Sequence, residues 1–184
     1  MTDPPNQLLC SANNNIDKTC FEATRELGIW FAQKGYTLIY GGCNDGLMGC
    51  IGHAVHHHGG MTIGIVPRIL ASSGRVADDI DVNIPCENLA DRKELMLSQS
   101  DICLALPGGI GTLDEILTVV AARTIGYHRK PMIVFNLNGC WDSLALLLDS
   151  LQAQGMIRGQ WRDLISIVSS VDDVKSLVSS YEQA

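Results

Sequence analysis

A carboxylate closes a glycine-rich run in this chain: Pro107-Gly108-Gly109-Ile110-Gly111-Thr112-Leu113-Asp114-Glu115. Three glycines leave the backbone N–H groups of such a turn unshielded by side chains. A helix that starts there adds unpaired N–H groups and the positive end of its dipole. Together these features make an anion seat, best suited to a phosphate. Glu115 projects one turn into the helix, near enough to act on whatever the phosphate is attached to. A plainer reading also fits. Thr112-Leu113-Asp114-Glu115 matches a capping box, in which Thr112 caps the helix and Glu115 folds back on the Thr112 N–H. Three added glycines exceed what a cap requires. Two acidic residues in an anion-binding turn repel the ligand, which points to chemistry rather than affinity alone.

Gly41-Gly42-Cys43-Asn44-Asp45-Gly46 is a second glycine-rich turn. It is neither the dinucleotide G-x-G-x-x-G nor a P-loop, since no Gly-Lys-Ser/Thr follows. Two such turns on one edge of a sheet can hold a single nucleotide from both sides. Arg92 and Lys93 fall mid-helix between Asn88 and Ser98. That helix feeds the strand before the central turn, so Arg92 can pair with the phosphate or with Glu115. His53, His56, His57 and His58 end another helix, where positive charge suits the dipole. No carboxylate completes a metal shell nearby, and no metal is expected. His128 reads as a loop residue.

The elements that position these groups alternate strand and helix. Strands are expected at Leu8–Cys10, Tyr36–Tyr40, Met61–Val66 (stopped by Pro67), Asp81–Ile84, Ile102–Leu106, Met132–Phe135 and Ile165–Val168. Helices are expected at Ile16–Lys34, Leu47–His58, Asn88–Ser98, Thr112–Ile125, Trp141–Gln154 and Val171–Ser180. Arg68 to Asp79 has no period and reads as a surface excursion. The strands are continuous apolar runs, as in a mainly parallel sheet covered by helices on both faces. Ligands bind such sheets at the carboxyl ends of the strands, where the winding direction reverses. The Ser11–Asn15, Gly41–Gly46 and Pro107–Thr112 turns should gather there.

The whole chain, residues 1–184, reads as one domain. With 46% apolar and 18% charged residues it is globular. The net charge of −7 argues against a nucleic-acid binder. No apolar run approaches membrane-spanning length and no signal pattern opens the chain, so a cytoplasmic location is expected, with no membrane partner. Seven cysteines are an odd number with no C-x-x-C spacing, and most sit in apolar runs where thiols act as small hydrophobes.

The two glycine turns, Gly41 to Gly49 and Pro107 to Glu115, resemble those of the LONELY GUY (LOG) family. These are cytokinin riboside monophosphate phosphoribohydrolases long labelled lysine decarboxylases. The similarity extends from the first strand to about Ile167 and includes Arg92-Lys93 and Gly126–Pro131. The resemblance implies a Rossmann-like doubly wound α/β fold, a homodimer and a nucleoside monophosphate substrate such as AMP or a cytokinin nucleotide. It implies Arg92 and Glu115 as the catalytic pair. Gly41, Gly42, Gly46, Met48, Arg92, Lys93, Gly108, Gly109, Ile110, Gly111 and Thr112 would bind substrate. Where the family has Gly-Ser-Ser in its first loop, this chain has Ser11-Ala12-Asn13. Cys43 replaces a glycine, Ala90 a histidine, Ala122 a tryptophan and Thr124 a glutamine. These departures fall on the base pocket and the subunit contact, while the phosphate turn and the catalytic pair are intact.

The expected activity is therefore hydrolysis of an N-glycosidic bond to free base and ribose 5-phosphate, with no metal or redox cofactor. The alternative is a non-catalytic carrier or sensor of a nucleotide or of the molybdenum cofactor. A pyridoxal-phosphate decarboxylase needs a Schiff-base lysine. Only Lys93 falls near the expected site, and it reads as a companion of Arg92.

Overall fold

The computed structural model describes residues 6–71 and 74–181. Among them are seven strands in one all-parallel sheet: β1 (Asn6–Leu9), β2 (Leu38–Tyr40), β3 (Thr62–Pro67), β4 (Val82–Cys86), β5 (Ile102–Ala105), β6 (Met132–Phe135) and β7 (Ser166–Val168). Their spatial order is β4-β3-β2-β1-β5-β6-β7. The winding runs outward from β1 in one direction and then, from β5, in the other. A crevice is therefore left above the carboxyl ends of β1 and β5. This is the doubly wound, Rossmann-like arrangement expected from the apolar runs.

Among the described residues six α-helices connect the strands and a seventh follows β7: α1 (Lys18–Lys34), α2 (Gly46–His57), α3 (Arg68–Ala71), α4 (Leu89–Gln99), α5 (Ile110–Thr124), α6 (Asp142–Ala153) and α7 (Val171–Tyr181). Strand alternation sends Leu8, Leu38, Tyr40 and Leu104 to one face, against Leu27 and Phe31 of α1, Leu47 and Ile51 of α2, and Val174 and Val178 of α7. It sends Leu9, Ile39, Cys103 and Ala105 to the other, against Met96 of α4, Ile116 and Val119 of α5, and Leu144 and Leu148 of α6. Both faces of the sheet are thus dry, as parallel strands require. The α1–α2 contact is close: a Cβ at Gly28 would lie 2.6 Å from Ala54 Cβ.

Several ends are set by contacts rather than by local pattern. Asp17 caps α1 by accepting from the Thr19 N–H, and Gly35 ends it at φ 74°. Asn88 caps α4 by accepting from the N–H groups of Ala90 and Asp91. Pro67 does not stop β3 but belongs to it, paired with Cys86. Proline is tolerated in β4 at Pro85 because that strand lies at the sheet edge. The helix expected from Thr112 begins at Ile110, with Gly109 at its N-cap.

The aperiodic stretch after β3 contains α3 and then returns beside the second glycine turn. Val76 forms an antiparallel bridge with Cys43. The Asn44 N–H donates to Arg75 O at 2.8 Å, and the Ala77 N–H donates to Gly42 O at 2.9 Å. These bonds are between main-chain groups, so no side-chain period records them. Among the described residues, no helix is long and apolar enough to cross a membrane.

Candidate active site

A cavity of about 720 Å³ opens at the carboxyl ends of β1, β2 and β5, lined by Cys10 to Asn15, Asp45, Met48, Arg75, Arg92, Gly109, Gly111, Thr112 and Glu115. The three turns expected at one sheet edge all contribute to its wall. They are also stitched together. The Ser11 N–H donates to Pro107 O at 3.2 Å, and the Met48 N–H donates to Ser11 O at 3.2 Å. Asn14 Oδ1 accepts from the Gly46 N–H at 2.8 Å, while Asn14 Nδ2 donates to Asp45 Oδ1 at 3.2 Å.

The start of α5 is the anion seat. No side chain caps it, and the first intrahelical bond is from the Leu113 N–H to Gly109 O. The N–H groups of Ile110, Gly111 and Thr112 therefore remain as donors at the positive end of the helix. A capping box at Thr112 does not form, because Thr112 is the third residue of the helix and not its cap. The glycines divide by purpose. A Cβ at Gly108 would fall 2.0 Å from Thr112 Oγ1, so this glycine admits the buried threonine. A Cβ at Gly109 or Gly111 would meet nothing within 4 Å. Those two leave open space where a ligand approaches.

Glu115 enters the same cavity from the next turn, with its side chain only 12% exposed. Burial raises its pKa above the ordinary carboxylate range; Arg92 opposes that shift, Asp114 adds to it and Lys93 opposes it. The Arg92 guanidinium lies 3.9 Å from Glu115 Oε1, a Coulomb contact without a hydrogen bond. Arg92 is buried, and its Nε has no hydrogen-bond partner among the described residues. It reaches this position by crossing Gly41, where a Cβ would sit 1.7 Å from the guanidinium nitrogen. Cys10 is held as a neutral thiol, its pKa pushed up by burial and by Glu115.

A narrow crevice of about 90 Å³ continues from the cavity past Met48 and Arg92 to Gly41, Gly42, Cys43, Val66, Leu70 and Val76. Met48 Sδ accepts from the Cys43 N–H at 3.4 Å there.

The residues singled out from the sequence therefore occupy different places. Met48, Arg92, Gly109, Gly111, Thr112 and Glu115 line the cavity, and Gly41 and Gly42 line the crevice. Gly46 lies behind the wall, at φ 62°, where a Cβ would come 2.6 Å from the Ala12 carbonyl carbon. Gly108 packs on Thr112. The Ile110 side chain is 87% exposed and contributes only its main chain to the seat. Lys93 turns to Asp114, donating to both carboxylate oxygens at 2.8 Å, and does not line the cavity.

Asp45 and Arg75 were not singled out, nor were the asparagines Asn13 to Asn15. The asparagine run after the first strand is a readable signal, since it follows a strand at the carboxyl edge where such sheets bind ligands. Arg75 gives none, because its place depends on the main-chain bridge to Cys43. It pairs with Asp45 at 3.1 Å at the cavity rim.

His128 is structural, donating from Nε2 to Val119 O and accepting the Lys130 N–H at Nδ1. Among the departures, Ala90 and Thr124 are exposed, while Ala12 and Cys43 border the crevice. The expectation that no carboxylate stands near the α2 histidines does not hold. Asp79, distant in the chain, hydrogen-bonds His53 Nδ1.

A family model described as possible lysine decarboxylase matches residues 48–178. The chain is 32% identical over 176 residues to cytokinin riboside 5′-monophosphate phosphoribohydrolase LOG7 of Arabidopsis thaliana, covering 96% of this chain and 80% of that protein. It is 31% identical over 174 residues to LOG2 of the same plant, covering 95% and 82%. Among solved structures, the molybdenum cofactor binding protein of Rippkaea orientalis superposes with a TM-score of 0.77 at 24% identity, covering 98% of both chains. The molybdenum cofactor carrier protein of Chlamydomonas reinhardtii gives 0.76 at 21% identity, covering 98% and 99%. At those identities the structural likeness speaks for the fold alone.

Proposed function

Since the chain belongs to the LONELY GUY (LOG) family, we propose that it hydrolyses the N-glycosidic bond of a nucleoside 5′-monophosphate to free base and ribose 5-phosphate. The observation that carries this reading is the buried Glu115 carboxylate, one helical turn from the uncapped N–H groups at Ile110 to Thr112. The phosphate sits on those N–H groups and supplies binding energy remote from the reacting centre. The ribose then lies toward Glu115.

As the bond from C1′ to the base nitrogen breaks, positive charge builds on the sugar ring. The Glu115 carboxylate stabilises that charge, then takes one proton from water as the water oxygen bonds to C1′. A raised pKa makes Glu115 a stronger base than an ordinary glutamate. A guanidinium is not a proton donor near neutral pH, so Arg92 has no general-acid role. It steadies Glu115 and offers N–H groups to the departing base, which takes its proton from solvent. The crevice beside Met48, Val66 and Val76 receives an apolar substituent of the base, which suits a prenylated adenine. The protein acts as a homodimer, a state supported by the exposed apolar side chains of Ile110, Leu117, Ile125 and Tyr127 on and just after α5.

Incubation with AMP and N6-prenylated AMP tests the reading. Release of ribose 5-phosphate is expected, fastest with the prenylated substrate. Failure to release a base from these and from the other common nucleoside monophosphates overturns it.

The non-catalytic alternative is a carrier of a nucleotide or of the molybdenum cofactor, as the structural neighbours from Rippkaea orientalis and Chlamydomonas reinhardtii bind or carry that cofactor. The Arg92–Glu115 pair weighs against it, since a carrier does not need a buried base beside its anion seat. Decarboxylation through a lysine Schiff base is disfavoured because the Lys93 ammonium is engaged by Asp114.

A further inference from the structure

The end of α2 holds a second chemical cluster. His53 and His57 stand one helical turn apart, and both meet Asp79, which reaches them from the segment before β4. His53 Nδ1 hydrogen-bonds Asp79 Oδ2, and His57 Nδ1 lies 3.7 Å from the same oxygen. One ligand atom from each of the three residues lies within 4.8 Å of the others. We propose that His53, His57 and Asp79 bind one late first-row divalent cation of the Zn²⁺ class.

Three features support a cation there beyond proximity. The Asp79 side chain is only 13% exposed, and its Oδ1 is buried with no hydrogen-bond partner among the described residues. The carboxylate thus keeps acceptor capacity that no described donor of the protein uses. The second feature is the His53 ring. Its Nε2 faces Asn44 Oδ1 at 2.7 Å. With the Nε2–H donating to that amide oxygen, the Nδ1 lone pair is directed at the ion, and the outer partner fixes the tautomer as in metal-binding imidazoles. The cation replaces the proton between Nδ1 and Oδ2. His57 exchanges its 2.9 Å hydrogen bond to His53 O for the metal. Third, the ligand chemistry is selective. Two imidazole nitrogens and a carboxylate suit zinc and its neighbours, not magnesium or calcium. The His57 side chain is 65% exposed, so the fourth position is open to water.

None of the three residues lines the catalytic cavity. The ion works as a clasp, joining α2 to the segment that carries Arg75 and braces the second glycine turn. The neighbouring histidines are engaged otherwise: His56 with Asp81 at 3.1 Å, and His58 with Ala54 O at 2.8 Å.

The test is titration of chelator-treated, reduced protein with Zn²⁺ by calorimetry, and with Co²⁺ by absorption. One equivalent is expected to bind, with a Co²⁺ spectrum of nitrogen and oxygen ligands, and to raise the melting temperature. His57→Gln and His53→Gln each weaken binding at least about 10-fold, and Asn44→Ala weakens it by about 10-fold through the outer partner. His58→Gln leaves it within about 2-fold, since His58 does not touch the ion and bonds Ala54 O instead. Because His57 is exposed, its variant folds as the parent does, and circular dichroism checks this. No saturable binding up to sub-millimolar Zn²⁺ overturns the proposal. So does binding indifferent to His57→Gln, or a Co²⁺ spectrum with thiolate charge-transfer bands. The result stands apart from the hydrolase reading, because no outcome depends on turnover.

Discussion

Arg92 and Glu115 face each other at 3.9 Å across the floor of one cavity, too far to hydrogen-bond and near enough to share charge. Burial drives the carboxyl toward its neutral form, and the guanidinium restrains that drive. The pair is therefore poised: the base is stronger than an exposed glutamate without being silenced.

Turnover should carry this signature. If ionised Glu115 is the working form, the acidic limb of the kcat/KM profile lies above the ordinary glutamate value of about 4.3. Arg92→Gln removes the influence that lowers the Glu115 pKa, so the limb moves to higher pH. Arg92→Lys keeps the charge and returns the limb toward its original position. A limb that ignores both substitutions would detach Glu115 from the rate.

Glu115→Gln should separate chemistry from stability. Loss of a general base costs about 10²- to 10⁴-fold in kcat, while nucleotide binding persists. The folded-state pKa of Glu115 is raised, so ionising it costs stability as pH climbs from about 4.3 through the folded value. Glutamine avoids that cost. The variant should melt above the parent at pH 7, and the gap should close as the solution is acidified below about 4.3. Thermal melts across pH, run beside an assay for ribose 5-phosphate, check both halves.

Glycines of the two turns should fail in different ways. Alanine at Gly108 drives a methyl into Thr112, and at Gly41 into Arg92. Overpacking of this kind costs about 1–3 kcal/mol, visible as a lower melting point. Alanine at Gly109 or Gly111 touches nothing inside the protein. Stability should hold, and at Gly111, inside α5, it should rise by up to roughly 1 kcal/mol. The KM for nucleotide should rise about 10-fold or more in both, as expected for loss of a hydrogen bond to a charged group.

Association should depend on α5. Leu117→Glu places a charge among the exposed apolar side chains of Ile110, Ile125 and Tyr127. Sedimentation is expected to show a dimer for the parent and a monomer for the variant. A parent that sediments as a monomer would remove the dimer from the reading.

Much of this was readable from residue order. Apolar runs such as Ile102 to Leu106 marked buried parallel strands, and the Pro107–Glu115 turn marked the crevice. What escaped was set by distant partners. Thr112 looked like a cap because capping is judged from four consecutive residues. The helix starts earlier because Gly109, with its non-helical backbone, is the N-cap, and Thr112 instead fills the space that Gly108 leaves. Lys93 looked like a ligand for substrate, but Asp114 claims it from the neighbouring helix. Asp79 and Arg75 lie in a stretch without periodicity, whose course is set by tertiary contacts such as the bridge from Val76 to Cys43.

That bridge has an evolutionary corollary. Residues 75–77 are tied to the second glycine turn by peptide groups that every non-proline residue carries, so the side chains of Val76 and Ala77 can be exchanged with little risk to the loop's path. Grafting this stretch from a relative with another preference should retune which nucleobase is accepted while cleavage itself continues, making it the natural handle for redesigning selectivity.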